Sequence, residues 1–244
     1  MLGTGTYSAL VSHRSDARPP QCIERAASKP GLQSADVGDT ARAEFDVVVM
    51  ATSLGGREAL EQLLAPLAAD FPAPIVVVQH VDAHSPSYLP ELLARSTRLA
   101  VRHAVEDEPL VASTVYVAPP GRHLLVGAER QCVLSTAPPV VFSRPSADPL
   151  FVSAAGVFGA RTLGVILTGR LRDGTVGAQT IRRAGGVVLA QDPATCRAPA
   201  MPLAAILAGA VHVTLPVASL GSALNVLVSV PGGRALFGLG TRAA

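Results

Sequence analysis

The feature of this sequence that most constrains its fold is a recurrence. Short apolar, β-branched runs end in polar or glycine residues and lead into segments with helical periodicity. DVVVMA (46–51) passes through Thr52, Ser53 and Leu54 into GREALEQLLAPLAADF (56–71), where Leu60, Leu63, Leu64 and Leu67 share one helical face. APIVVVQH (73–80) is a second such run, and SPSYLPELLARST (85–97), with proline near its start, is a second helix. Farther on, DPLFVSAAGVFGA (148–160) reads as helix, LGVILTG (163–169) as strand, and TVGAQTIRRAG (175–185) as a helix closed by Gly185. GVVLAQ (186–191) is a strand, MPLAAILAG (201–209) a helix and AVHVTL (210–215) a last strand. The middle differs: STVYVAPPGRHLLVGAERQCVLSTA (113–137) has short alternating strands broken by turn residues, which predicts an antiparallel meander or edge insertion. Strands apolar on both faces and separated by helices predict an α/β fold, a three-layer α/β/α sandwich with a mostly parallel sheet and a short antiparallel insertion.

Composition agrees with such a core and excludes several function classes. Hydrophobic residues make 49% of the 244, aromatics only 4%, and tryptophan is absent, so Val, Leu, Ala and Ile must fill the interior. The net charge of +2 is carried mainly by arginine, Lys29 being the only lysine, with no basic tract or interleaved aromatic stripe; nucleic-acid binding is not indicated. Cys22, Cys132 and Cys196 lack the close spacings of a zinc site or redox pair and read as free thiols in a reducing compartment. The N-terminus turns polar too soon for a secretory signal, and the apolar stretch 150–169 is split by Arg161 and too short to span a bilayer, so a cytoplasmic protein without membrane insertion is expected. Residues 1–44, rich in Ser, Arg, Pro, Gly and Asp, are expected to form a disordered leader, 45–230 the folded domain and 231–244 a C-terminal tail.

In parallel α/β sheets, ligands bind beyond the carboxyl ends of the strands, where helix N-termini offer unpaired N–H groups. Ser53 falls there, after the first strand. Ala51 and Gly55 flank it much as glycines flank the nucleophile in the G-x-S-x-G elbow of serine hydrolases, with alanine in the first place. A helix N-cap is the competing reading for this serine. The second strand brings His80 to the same edge, and Asp173 follows VILTG within a few residues. A Ser–His–Asp constellation suits acyl transfer, because a hydroxyl needs a base to remove its proton and an acid to orient that base. Each member also has a plain alternative: His80 as a hydrogen-bonded strand end, and Asp173 as an Asp–Gly turn or cap. His84, His103, His123 and His212 read as structural or solvated. SLGGREA fits neither a dinucleotide fingerprint nor a P-loop. The order Ser, His, Asp also departs from the Ser, Asp/Glu, His order of ordinary α/β-hydrolases.

With these residues reached, the chain resembles the catalytic domain of the chemotaxis protein-glutamate methylesterase (CheB) family. ATSLGGREAL resembles that family's nucleophile segment and APIVVVQHV its histidine strand; TVYVAPPGRHLLV and RPSADPLFVSAA resemble the middle of the domain. GVILTGRLRDGTVGAQTIRRAGGVVLAQDPATCRAPAMPLAAILAGAVHVTLP resembles its aspartate loop and C-terminal part. The resemblance runs from about Phe45 to the 220s and implies an α/β sandwich, a triad of Ser53, His80 and Asp173, and no metal or organic cofactor. It also implies hydrolysis of glutamate γ-methyl esters on the cytoplasmic helices of methyl-accepting chemoreceptors, with deamidation of receptor glutamines alongside. Leu54 stands where the family usually has threonine, and TGRLRD where it has T-G-M-G-x-D, so Arg170 and Leu171 replace methionine and glycine. Family members usually carry an N-terminal receiver domain, which the first forty-odd residues are too short to form; constitutive activity, or control by a separate signalling regulator, is expected.

Under this reading Leu54, Gly55 and Arg170 line the oxyanion and substrate pocket, with the Leu54 N–H as the leading oxyanion donor. Arg170 and Arg172 either attract an acidic receptor surface, draw Asp173 away from His80, or are solvated. Two other functions stay open: a receptor-binding adaptor without catalysis, and an esterase acting on another ester.

Overall fold

In the computed structural model, residues 44–240 are described; the expected leader, with Cys22, and the last four residues of the expected tail lie outside them. The first half runs β1 (Val47–Thr52), α1 (Gly56–Leu64), β2 (Ile75–Gln79), α2 (Leu89–Leu93), β3 (Ala100–His103) and β4 (Thr114–Val117). Next come β5 (His123–Val126), β6 (Cys132–Ser135), α3 (Ala147–Phe158), β7 (Thr162–Ile166) and α4 (Thr175–Arg183). The chain continues through β8 (Val187–Gln191), α5 (Ala200–Leu207), β9 (Val213–Leu215), α6 (Val217–Ser229) and α7 (Gly233–Leu236).

Seven strands form one sheet in the order β3-β4-β2-β1-β7-β8-β9, every neighbouring pair parallel. β1 is central, with β2 on one side and β7 on the other. The chain builds outward from β1 in one direction and later returns to build in the other. The crevice at the carboxyl ends of β1 and β7 is therefore the topological switch point, where such sheets hold ligands. Alternation along β1 divides the core: Val48 and Met50 face Leu60, Leu63 and Leu64 of α1 and Leu220, Leu224 and Leu227 of α6. Val47, Val49 and Ala51 face Phe151 of α3, Ile181 of α4 and Met201 of α5.

Several expectations need correction, among them the second helix, which spans Leu89–Leu93 rather than 85–97. Thr114–Val117 does not join an antiparallel meander; its four residues are all buried, and it pairs in parallel with β2 and β3. Among the named strands of the described residues, β5 and β6 alone pair antiparallel, as a separate hairpin. The first helix ends at Leu64 rather than Phe71, because Pro66 has no N–H to continue the ladder, although Leu67 and Phe71 remain fully buried beyond it. α6 carries the pattern Val217, Leu220, Gly221, Leu224, Leu227, Val228 on its buried face, and the strand β3 forms the sheet edge; neither was anticipated. Within 231–244, residues 233–236 are helical, and Phe237 and Leu239 pack against the core.

α6 closes one face of the sheet, so its apolar side should be worth far more than an exposed position of the same chemistry. Leu224 is fully buried and Leu207 on α5 is 84% exposed. Leu224→Ala is expected to lower stability by about 2–5 kcal/mol and Leu207→Ala by less than about 0.5 kcal/mol, measured by urea unfolding. Equal midpoints for the two variants would contradict this packing.

Candidate active site

The turn after β1 is built by its neighbours on both sides. The Ser53 N–H donates to the Thr168 carbonyl at 3.0 Å, and Thr52 Oγ1 donates to that same carbonyl at 3.0 Å. Thr168 Oγ1 lies 2.9 Å from the Leu54 carbonyl, so the end of β7 holds both flanks of the serine. The two glycines that follow have separate reasons. Gly55 has φ +81°, where an L-residue is strained, and a Cβ there would also press within 2.7 Å of Arg197 Cβ. Gly56 has no room for a Cβ because Gln79 Oε1 and Thr52 Oγ1 occupy its place. α1 starts at Gly56 with Gly55 as its cap residue and no side-chain cap. The N-cap reading of Ser53 is thus overturned: its hydroxyl accepts no helix N–H and forms no hydrogen bond among the described residues.

His80 follows β2 directly, and its N–H donates to the Thr52 carbonyl at 3.0 Å. Its Nε2 lies 2.6 Å from Asp173 Oδ2. Asp173 is fully buried and its carboxylate is saturated with donors. Oδ2 also accepts the Ala147 N–H at 2.6 Å, while Oδ1 accepts the Ser146 hydroxyl at 2.7 Å, the Gly174 N–H at 2.9 Å and the Asp148 N–H at 3.2 Å. Ser146 stands at the N-cap of α3 without capping it; Asp173 takes the free N–H groups instead, where the helix dipole favours negative charge. Burial alone would raise the Asp173 pKa. The His80 hydrogen bond and charge, the Ala147 N–H and the Ser146 hydroxyl outweigh it and hold the carboxyl below its ordinary value. Asp148 shows the opposite balance: burial lifts its pKa against the Gly177 N–H, with the Asp173 charge adding to the rise.

An ionised carboxylate can only accept, so Nε2 of the neutral His80 ring carries the hydrogen and Nδ1 keeps the lone pair. His80 and Ser53 face one open cleft of about 460 Å³, shared with Leu54, Gly55, Gln79 and Arg170. The N–H groups of Leu54 and Arg170 find no acceptor among the described residues. Neither Arg170 nor Arg172 forms an ion pair among them, so Asp173 is not drawn off by a guanidinium. Leu171 has φ +65°, a conformation costing an L-residue about 1–2 kcal/mol.

Three of the other described histidines have structural partners. His103 Nε2 lies 3.0 Å from the Ser87 carbonyl, and His123 Nδ1 accepts the Ser146 N–H at 3.2 Å. His212 Nδ1 accepts the Val188 N–H at 3.0 Å, and His84 sits in an exposed loop. Burial pushes the Cys132 thiol up to about 12 and the Cys196 thiol up to about 11, which leaves both protonated and poorly nucleophilic at neutral pH. Among the described residues no group of three or more His, Cys, Asp or Glu is placed to hold a metal ion, and no helix is long and apolar enough to cross a membrane. Gln79, Ser146, Thr168 and Asp148 are site residues that the sequence reading passed over. Ser146 and Gln79 carried a usable signal, since each directly precedes a functional element.

The sequence profile described as CheB methylesterase matches residues 48–224. The chain belongs to the CheB methylesterase family. It is 47% identical over 192 residues to protein-glutamate methylesterase/protein-glutamine glutaminase 2 of Anaeromyxobacter dehalogenans, covering 79% of this chain and 56% of that protein. It is 42% identical over 186 residues to protein-glutamate methylesterase FrzG of Myxococcus xanthus, covering 76% and 56%. The chain thus spans about half the length of these curated relatives. The crystal structure of the Thermotoga maritima CheB methylesterase catalytic domain matches with TM-score 0.73 and 34% identity, over 75% of this chain and 99% of that one. The parallel sheet and helical layers of this CheB-family chain are those of that domain.

The buried Asp173 carboxylate has a pH signature with a definite sign. Its pKa is lowered on folding, so its stabilisation is present above the unfolded value of about 3.9 and is lost as pH falls through the folded value. Asp173→Asn is expected to lose about 3 kcal/mol at neutral pH, with the gap from the unsubstituted protein narrowing below about pH 4. A gap that stays constant from neutral pH to pH 3 would show that the carboxylate is not held ionised by these donors.

Proposed function

We propose that this chain is a serine hydrolase that removes methyl esters from glutamate side chains of chemoreceptors and deamidates receptor glutamines by the same route. The observation that carries the reading is the 2.6 Å contact between His80 Nε2 and the buried Asp173 carboxylate, on a ring that shares its cleft with an unbonded Ser53 hydroxyl. Membership of the CheB methylesterase family and the names of the relatives support the ester chemistry.

Ser53 Oγ attacks the ester carbonyl carbon as His80 Nδ1 takes its proton. Nδ1 serves as base because Nε2 is committed to Asp173. The new C–O bond places negative charge on the carbonyl oxygen, which the N–H groups of Leu54 and Arg170 are free to meet; one such donor contributes about 3 kcal/mol to transition-state stabilisation. Collapse breaks the bond to the methoxide oxygen of an ester, or to the amide nitrogen of a glutamine, and the proton on Nδ1 passes to that leaving atom, giving methanol or ammonia. Water then attacks the Ser53 ester, giving its proton to Nδ1, and the second collapse returns that proton to Ser53 and frees glutamate. Asp173 keeps its charge throughout and stabilises the imidazolium. The atoms balance with water as the only co-reactant.

In this reading Arg170 and Arg172 favour encounter with an acidic helical surface, a long-range effect that salt weakens. The substrate is the cytoplasmic helical part of a methyl-accepting receptor, so the chain acts in the cytoplasm, and a separate signalling protein is a candidate regulator. The test is methanol release from a methylated receptor fragment. The unsubstituted chain should release methanol, and Ser53→Ala and His80→Ala should each lower the rate by roughly 10⁴-fold or more. Binding of the fragment without methanol release would favour an adaptor. Release from small esters but not from the receptor would favour a different ester.

A further inference from the structure

We infer that Gln79 is a positioning residue that sets the distance between Ser53 and His80, a role separate from that of the three reacting side chains. The inference rests on the reading of Ser53 as nucleophile and His80 as base. Gln79 Nε2 donates to the Ser53 carbonyl at 2.8 Å and to the His80 carbonyl at 3.0 Å. One carboxamide nitrogen thus spends both its hydrogens on the backbones of the nucleophile and the base. The assignment of the amide follows from the partners: with oxygen in that place, two carbonyls would face a third acceptor and no hydrogen bond could form.

The tie completes a clamp on both residues. Ser53 is held through its N–H by the Thr168 carbonyl at 3.0 Å on the β7 side, and through its carbonyl by Gln79 on the β2 side. His80 is held through its N–H by the Thr52 carbonyl at 3.0 Å and through its carbonyl by the Gln79 side chain. The parallel ladder between β1 and β2 ends at the pair Thr52 and Gln79, its last backbone bond running from the His80 N–H to the Thr52 carbonyl, so no backbone bond ties Ser53 itself to β2. Gln79 extends the ladder by one rung with a side chain. Space for it comes from Gly56, where a Cβ would meet both Gln79 Oε1 and Thr52 Oγ1. The second glycine of SLGG therefore makes room for the carboxamide, while the first supplies the left-handed turn.

The test compares Gln79→Met, which keeps length and removes the donors, with Gln79→Glu, which keeps shape and turns an acceptor toward the two carbonyls. In both, methanol release from the methylated receptor fragment should show kcat down by about 10- to 100-fold with KM changed less than about threefold, since alignment rather than binding is lost. The rate of fluorophosphonate labelling at Ser53 should fall in parallel. The ratio of Gln79→Glu to unsubstituted activity should rise as pH is lowered, because a protonated carboxyl regains one donor; Gln79→Met should show no such recovery. Amide hydrogen exchange of the full chain should speed up in both variants at residues 53–56 and 79–81 and stay unchanged at β8. That readout needs no activity, so it separates failure of this inference from failure of the hydrolase reading. Folded variants with unaltered kcat and labelling, or with unaltered exchange at residues 53–56, would overturn the positioning role.

Discussion

A carboxylate with no exposed surface must be paired or lose its charge, and that requirement organises the site around Asp173. Five donors meet it: three from the start of α3, one from its own loop and one from His80. α3 could not shift along the sheet without leaving the charge unsatisfied, and His80 could not turn without giving up the contact that fixes its tautomer. The β5–β6 hairpin joins this network through His123, which accepts the Ser146 N–H at 3.2 Å while the Ser146 hydroxyl donates to Asp173. A chain of hydrogen bonds therefore runs from the antiparallel insertion, through the head of α3, to the imidazole in the cleft.

The parallel sheet explains why residues 53, 80 and 173 meet at all. β1 lies between β2 and β7, so the three segments leaving those strands emerge side by side at the switch point. Their fine placement is then set by side chains that extend the sheet beyond its last rungs. Thr168 receives the Ser53 N–H and contacts the Leu54 carbonyl, and its own N–H donates to Gln191 Oε1 at 2.9 Å, which carries the bracing on to the end of β8.

Much of this was legible in the sequence, and the failures have physical causes. The parallel strands stood out because they are apolar on both faces and end in residues that cannot continue a ladder. Ser53, His80 and Asp173 could be picked out because the polar residue ending a buried strand falls at a predictable edge. Thr114–Val117 reads as part of a meander because its neighbours are turn-rich, and nothing in four residues tells a buried parallel strand from an alternating antiparallel one. Ser53 resembles an N-cap because the local signal for a cap and for a hydroxyl exposed beyond a strand is the same; only the helix's capping two residues later, at Gly55, separates them. The positions of Ser146 and Gln79 just before α3 and His80 are legible, but their bonds to Asp173 and to the Ser53 carbonyl are not, since each joins residues that meet only once the sheet has closed. Leu171 is a case of a different kind: a leucine holds a left-handed turn that glycine would adopt without strain, and Asp173 two residues on still reaches His80.

Asp173 fixes the proton on His80 Nε2, and the proposed reaction needs a bare Nδ1 as its base. Nitrogen-15 NMR of the histidine-labelled chain tests this directly, with His80→Ala assigning the signals. The neutral ring should show a protonated Nε2 and a bare Nδ1, and Asp173→Asn should mix the two tautomers. A neutral His80 carrying its proton on Nδ1 would contradict the account.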